Sequence, residues 1–92
     1  MQASVIAIAD EKYGEVVGAF VERAPYVLPV SRDEVKRLVA KRLARIKIPK
    51  YVFFLGEDGI ESRWPVTASG KIRKLDLRAW AAEAVKSGRV TG

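Results

Sequence analysis

The 92-residue chain contains no cysteine and no histidine. Lack of cysteine excludes a thiol nucleophile, a disulfide framework, an iron–sulfur cluster and a zinc ribbon. Lack of histidine removes the imidazole base and any histidine-ligated metal, and no metal site is expected. Long apolar runs are missing as well: nothing approaches the ~18–20 residues of a membrane span. The start, Met1-Gln2-Ala3-Ser4, has no basic region ahead of an apolar stretch, so no signal peptide is read there and a cytoplasmic location is expected. Lys, Arg, Asp, Glu, Ser, Thr and Tyr remain for chemistry. A site built from them would work by positioning and positive charge.

What is present suits one small domain covering residues 1–92, with its ordered part over about 4–86. A chain of this size buries roughly 60–65% of the surface it exposes when unfolded. The 49% hydrophobic content is enough to build that core. Seventeen Lys and Arg against eleven Asp and Glu give a net charge of +6, which suits anionic partners without naming one.

Val5 to Ala9 reads as a short strand buried on both faces, and Asp10 to Gly14 as a polar turn. Glu15 to Arg23 predicts a second strand, and Pro25 and Pro29 place a loop over 24–30. Ser31-Arg32-Asp33-Glu34 matches a capping box. Val35, Leu38, Val39, Leu43 and Ile46 then fall on one side of a helix that Ile48-Pro49 closes. Lys50 to Leu55 predicts a third strand, Gly56 to Gly59 a turn, and Ile60 to Pro65 a short return strand. Leu77, Trp80, Ala81, Ala84 and Val85 give a second amphipathic helix capped by Asp76, after which 87–92 should fray. The expected fold is α+β, a small layer of about three strands packed with two amphipathic helices.

The most unusual stretch is Pro65-Val66-Thr67-Ala68-Ser69-Gly70-Lys71-Ile72-Arg73-Lys74. Ser69 and Gly70 let backbone approach a ligand closely, Thr67 and Ser69 offer hydroxyls, and Lys71 sets a point charge at the tip. Such a loop suits an oxyanion or phosphate. It is not a P-loop: Pro65 stands where the first glycine belongs, and Ile72 replaces the Ser/Thr after the lysine. Taken alone, it also reads as a flexible basic turn before a helix.

Pro65-x-Thr67-x-Ser69-Gly70-Lys71-Ile72-x-Lys74, followed by Leu75-x-Leu77-Arg78, closely resembles the terminal signature of the adenylate-forming (AMP-binding) enzymes. These are the acyl-CoA synthetases, luciferases and adenylation domains. Two further segments agree in order: Asp10 to Val17 resembles the family's strand–turn–strand, and Leu43 to Val52 its helix-to-strand junction. The likeness around Asp10–Val17 and Ile48–Val52 favours the acyl-CoA synthetase branch. The resemblance covers about residues 5–80. It implies a C-terminal domain that closes over a large N-terminal domain holding ATP, Mg²⁺ and a carboxylic acid, fatty or otherwise simple. ATP/AMP, Mg²⁺ and CoA are then the cofactors of the full-length ligase, and none is assigned to this chain alone. It implies that Lys71 is the adenylation lysine, with Thr67, Ser69 and Gly70 supporting its loop. By the same analogy the domain rotates after adenylation, and Tyr13, Gly14 and Glu15 face the active site during thioester formation.

Ala9 departs from the pattern, which often has proline before the turn aspartate, and the Gly56–Trp64 stretch is longer than the usual link. The hinge segment and the large domain's motifs are not in this sequence, so the isolated chain is expected to be inactive without a large domain, supplied natively in the same chain or in trans. Lys41, Arg42, Arg45 and Lys47 form a basic cluster, with Lys36, Arg37 and Lys50 nearby. It reads either as a patch for the phosphates of CoA or as a solvated helix face. Rival readings are a free-standing CoA- or nucleotide-binding module acting in trans and, less favoured, a nucleic-acid-binding domain. Phe53, Phe54 and Trp64 could stack on bases in the latter, but strand core suits the two phenylalanines better.

Overall fold

The computed structural model describes residues 2–22, 31–42 and 48–92. Five elements follow one another: β1 (Gln2–Asp10), β2 (Gly14–Glu22), α1 (Arg32–Arg42), β3 (Tyr51–Phe54) and α2 (Lys74–Lys86). The expected α+β layer of three strands and two helices is what forms. β1 and β2 make an antiparallel hairpin in register from Gln2 opposite Glu22 to Asp10 opposite Gly14. β3 pairs parallel to β2, Gly18 opposite Tyr51 through Val21 opposite Phe54, so β2 is central in the order β1-β2-β3. A parallel neighbour requires a crossover, and α1 lies within that connection.

Alternation along the strands divides the core into two layers. Ile6, Ile8, Phe20 and Phe53 point to one face, where Leu77, Ala81 and Ala84 of α2 cover them with Ile60 and Val90. Ala19, Val21, Val52 and Phe54 point to the other, against Val35 and Val39 of α1. Phe20 and Phe53 stack with centroids 4.7 Å apart, and Phe20 meets Trp80 edge-on at 6.3 Å. Both strand phenylalanines are therefore interior and unavailable for base stacking. Leu38, placed on the apolar stripe by spacing, is about half exposed at 48%. Leu43, Ile46 and the 24–30 loop lie outside the described residues.

α1 begins as its sequence implies. Ser31 Oγ accepts the Glu34 N–H at 3.2 Å, and the Ser31 carbonyl accepts the Val35 N–H. Arg32 then ties the helix start to β3: its Nε donates to the Val52 carbonyl, its guanidinium lies 5.3 Å from the Phe54 ring centroid, and it pairs with Asp58. The pairing satisfies a carbonyl on a strand that has no sheet neighbour on that side among the described residues.

Four local expectations are corrected. β1 is buried on one face only, through Ser4, Ile6 and Ile8, while Ala3, Val5 and Ala7 are half-buried, because on that face α1 covers β2 and β3 and the β1 residues only flank it. Residues 60–65 form no strand; the segment turns back through a Gly56 N–H to Glu61 carbonyl bond and drops Ile60 into the core. Asp76 does not cap α2. The N-cap is Arg73, without a side-chain cap, and Asp76 sits in the first turn 3.4 Å from the Arg73 Nε. Residues 87–92 do not fray as a unit. Gly88, at φ +75°, donates to Val85 and Arg89 donates to Ala84, the double bond of a Schellman ending, and Val90 is then buried at 2% exposure. No helix among the described residues is long and apolar enough to cross a membrane.

Candidate functional site

The stretch Pro65–Arg73 is a closed hairpin rather than a loose basic turn. Val66 bridges Ile72 in antiparallel fashion, the Thr67 N–H donates to the Lys71 carbonyl at 2.8 Å, and the Arg73 N–H donates to the Pro65 carbonyl at 2.7 Å. Ala68, Ser69 and Gly70 are the three loop residues, closed by a Gly70 N–H to Thr67 carbonyl bond of 2.9 Å. Gly70 takes φ +87°, the left-handed position that three-residue hairpins need, and nothing lies within 4 Å of where a Cβ would stand. Two side-chain bonds finish the tip: the Lys71 N–H donates to Thr67 Oγ1 at 3.2 Å, and Thr67 Oγ1 lies 3.0 Å from Ser69 Oγ.

The base of the hairpin is anchored. Ile72 and Trp64 are partly buried against the α2-side core, and α2 starts at Lys74, immediately after the returning strand. The Trp64 indole N–H is buried without an acceptor among the described residues. Residues Thr67 to Lys71 are all exposed, and Lys71 has no ion-pair partner among the described residues. A hydrogen-bonded hairpin thus presents the Lys71 side chain to solvent. That arrangement can place one positive charge between two approaching anions.

The second set of expected site residues lies at the β1–β2 turn. Asp10 Oδ1 accepts the N–H groups of Lys12 (2.9 Å) and Tyr13 (3.0 Å), and Gly14 at φ +77° completes the reversal. Asp10 Oδ2 also meets Lys50 Nζ at 3.3 Å. Accepting the Tyr13 N–H is the largest influence holding the Asp10 carboxyl below its ordinary pKa, with the Lys12 N–H and Lys50 acting in the same direction against desolvation. Lys50 is raised in turn, chiefly by its bond to Asp10. Tyr13 is 64% exposed and Glu15 is exposed. With Val16, Val17, Ile48 and Lys50 they line an open groove of about 420 Å³.

α2, which follows the hairpin, meets the groove through a long contact from Arg78 to Glu15 at 3.9 Å. The sequence places Lys50 near the basic cluster and gives Ile48 no site role; only the parallel pairing, extended by a Lys50 N–H to Val17 carbonyl bond, brings both beside β2 as groove walls. Of the basic cluster, Lys41 is exposed on α1 and Arg42 ends that helix, while Arg45 and Lys47 lie outside the described residues. Lys50 is engaged with Asp10 and, at 5.4 Å, with the Tyr51 ring. Among the described residues no group of three or more His, Cys, Asp or Glu side chains could hold a metal ion.

A family model for the AMP-binding enzyme C-terminal domain matches residues 1–71, ending on the hairpin lysine. The chain belongs to this family. Acyl-CoA ligase sidI of Aspergillus fumigatus is 48% identical over 85 residues, which span 91% of this chain and 14% of that protein. The fold agrees with a Brucella canis acyl-CoA synthetase at a TM-score of 0.69 and 30% identity, over 89% of this chain and 14% of that one. An amide bond synthetase, McbA of Marinactinospora thermotolerans, matches at 0.67 and 30% identity over 87% of this chain and 15% of that one. This AMP-binding C-terminal domain therefore spans about a seventh of the length of the relatives it matches.

Proposed function

We propose that this chain is the C-terminal domain of an ATP-dependent acyl-CoA ligase, which joins a carboxylic acid to AMP and then to CoA, and that Lys71 drives the first step. The acid is a fatty or other simple carboxylic acid. The large adenylating domain, in the same chain or in trans, holds ATP, Mg²⁺ and the acid. The observation carrying this reading is the exposed Lys71, without an ion-pair partner among the described residues, at the tip of a hydrogen-bonded hairpin within a chain of this family.

In the adenylation step a carboxylate oxygen attacks the α-phosphorus of ATP, and the bond to pyrophosphate breaks. The two reactants are both anions. An ammonium between them offsets their repulsion and stabilises the charge that builds on the pentavalent phosphorus. The step requires no proton transfer, which fits a chain without histidine. The Tyr13–Glu15 turn and its groove would face the site in the second step, when the CoA thiol displaces AMP. Lys41 is the described exposed member of the proposed CoA-phosphate patch, which would also use Arg42, Arg45 and Lys47. The McbA likeness advises testing the acceptor directly, because an amide bond synthetase has a similar domain.

The test separates the half-reactions in the full-length ligase. Lys71→Ala should lower acid-dependent ATP–pyrophosphate exchange by about 10²-fold or more. Thioester formation from preformed acyl-adenylate should survive. Unchanged exchange would remove Lys71 from the role.

A further inference from the structure

Another concavity shares no residue with the hairpin or the groove. It is an open cavity of about 190 Å³ between α2 and the turn that follows β3. Its floor is apolar: Ile60 is buried, and Trp80 is half-buried with its ring edge-on to Phe20 at 6.3 Å. Three exposed charged side chains stand around that floor, Glu61, Glu83 and Arg89. Opposite charges that line one cavity ordinarily pair. Among the described residues, however, Arg89 forms no ion pair with either glutamate, and neither glutamate has another cation as partner.

The way Arg89 is held accounts for this. The Schellman ending of α2 fixes its main chain through the N–H bond to the Ala84 carbonyl at 3.0 Å, and its Nε donates to Ser87 Oγ at 2.8 Å. The guanidinium then lies across Gly59, at φ +76°, where a Cβ would overlap it. Arg89 is thus a cation set in place on one wall, with two carboxylates lining the same cavity and left to other partners.

We propose that this cavity binds a free α-amino acid with an apolar side chain. Arg89 takes its carboxylate, Glu61 and Glu83 take its ammonium, and its side chain lies on Ile60 and Trp80. A zwitterion is the ligand class that satisfies both signs at once. A simple anion would meet two carboxylates, and a simple amine would meet the guanidinium. All three charged groups are exposed, so the affinity is modest, about millimolar. Nothing in this site depends on the role proposed for Lys71.

The probe is L-leucine, titrated into the isotope-labelled 92-residue chain and followed by NMR. The amides of Gly59 and Glu83 and the indole N–H of Trp80 should shift together, with a Kd of about 1 mM. Isocaproate, which lacks the ammonium, and isoamylamine, which lacks the carboxylate, should each bind at least about tenfold more weakly. Arg89→Gln and Glu83→Gln change only exposed side chains and should each weaken leucine binding by about tenfold or more. The two analogues test the same charges in the wild-type chain, whatever a substitution does to folding. Absence of shifts up to about 50 mM leucine would overturn the proposal. So would isoamylamine or isocaproate binding as tightly as leucine, since one charge would then suffice, or unchanged leucine affinity in both folded variants.

Discussion

Asp10 anchors the turn below the groove through two main-chain N–H groups and Lys50, and each contact favours its ionised form. Its folded-state pKa is therefore lower than its unfolded one. A group shifted this way contributes stability above the ordinary value of 3.8 and loses it as pH falls through the folded value. Lys50 is shifted upward, so its contribution is complete below 10.5 and fades as pH rises through its folded value. Asp10→Asn keeps an oxygen for the turn N–H groups and removes the charge. Denaturant titrations at several pH values should show the variant less stable than wild type near neutrality, with the gap closing as pH drops below 3.8. A constant gap across the acid range would mean that charge is not what the turn uses. These roles were only half legible in the chain. Asp10 to Gly14 is plainly a turn in sequence, but its ion pair reaches forty residues onward to Lys50, and no local spacing reveals that.

At the scale of elements, Gly18 sets how closely β1, β2 and β3 stack under α2. A Cβ there would stand 2.4 Å from Ile8 Cδ1 and 3.2 Å from Phe53 Cε2. Both neighbours are interior, Ile8 at 7% exposure and Phe53 at 0%. Gly18→Ala should therefore destabilise by about 1–3 kcal/mol through overpacking. Ile8→Val deletes the nearer of the clashing atoms and should cost about 0.5–1.5 kcal/mol alone. Combined, the two should cost less than their sum, a coupling readable in a double-mutant cycle of unfolding free energies. Strict additivity would show that strain from the new methyl goes elsewhere. Sequence gives α1 its start, because Ser31 and Glu34 are a local pair, and gives β2 because its apolar run is unbroken. It misplaces the cap of α2 since Arg73 is fixed by the hairpin bond to Pro65 rather than by its own side chain. It suggests a return strand over 60–65 because Asp58-Gly59 favours a tight reversal, although Ile60 fills the core from a turn.

For the whole molecule, the decisive relation is between a solid body and the two exposed features it carries. The sheet holds α1 on one face and α2 on the other, and the lysine hairpin springs from the start of α2. Arg78, one turn into that helix, reaches Glu15 at the groove. The hairpin and the groove are thus carried on one sheet-and-helix body, as the proposed two-step use of the domain would require. The residues 65–74 are readable as a candidate site because their chemistry is local, whereas the groove depends on parallel pairing of segments far apart in the chain. The tail is the least legible part: Val90 follows a Ser-Gly-Arg run that looks like an ordinary end, yet the Schellman turn at Gly88 folds it back under α2. Val90→Ala should remove about 1–2 kcal/mol of stability, the loss of two buried methyl groups partly offset by collapse of the site. Val90 lies outside the hairpin and the groove, so in the proposed full-length ligase the balance of adenylation to thioester formation should hold below the melting temperature. A fall in adenylation alone, at temperatures where the variant is folded, would show that α2's far end governs the lysine and that the body is not rigid.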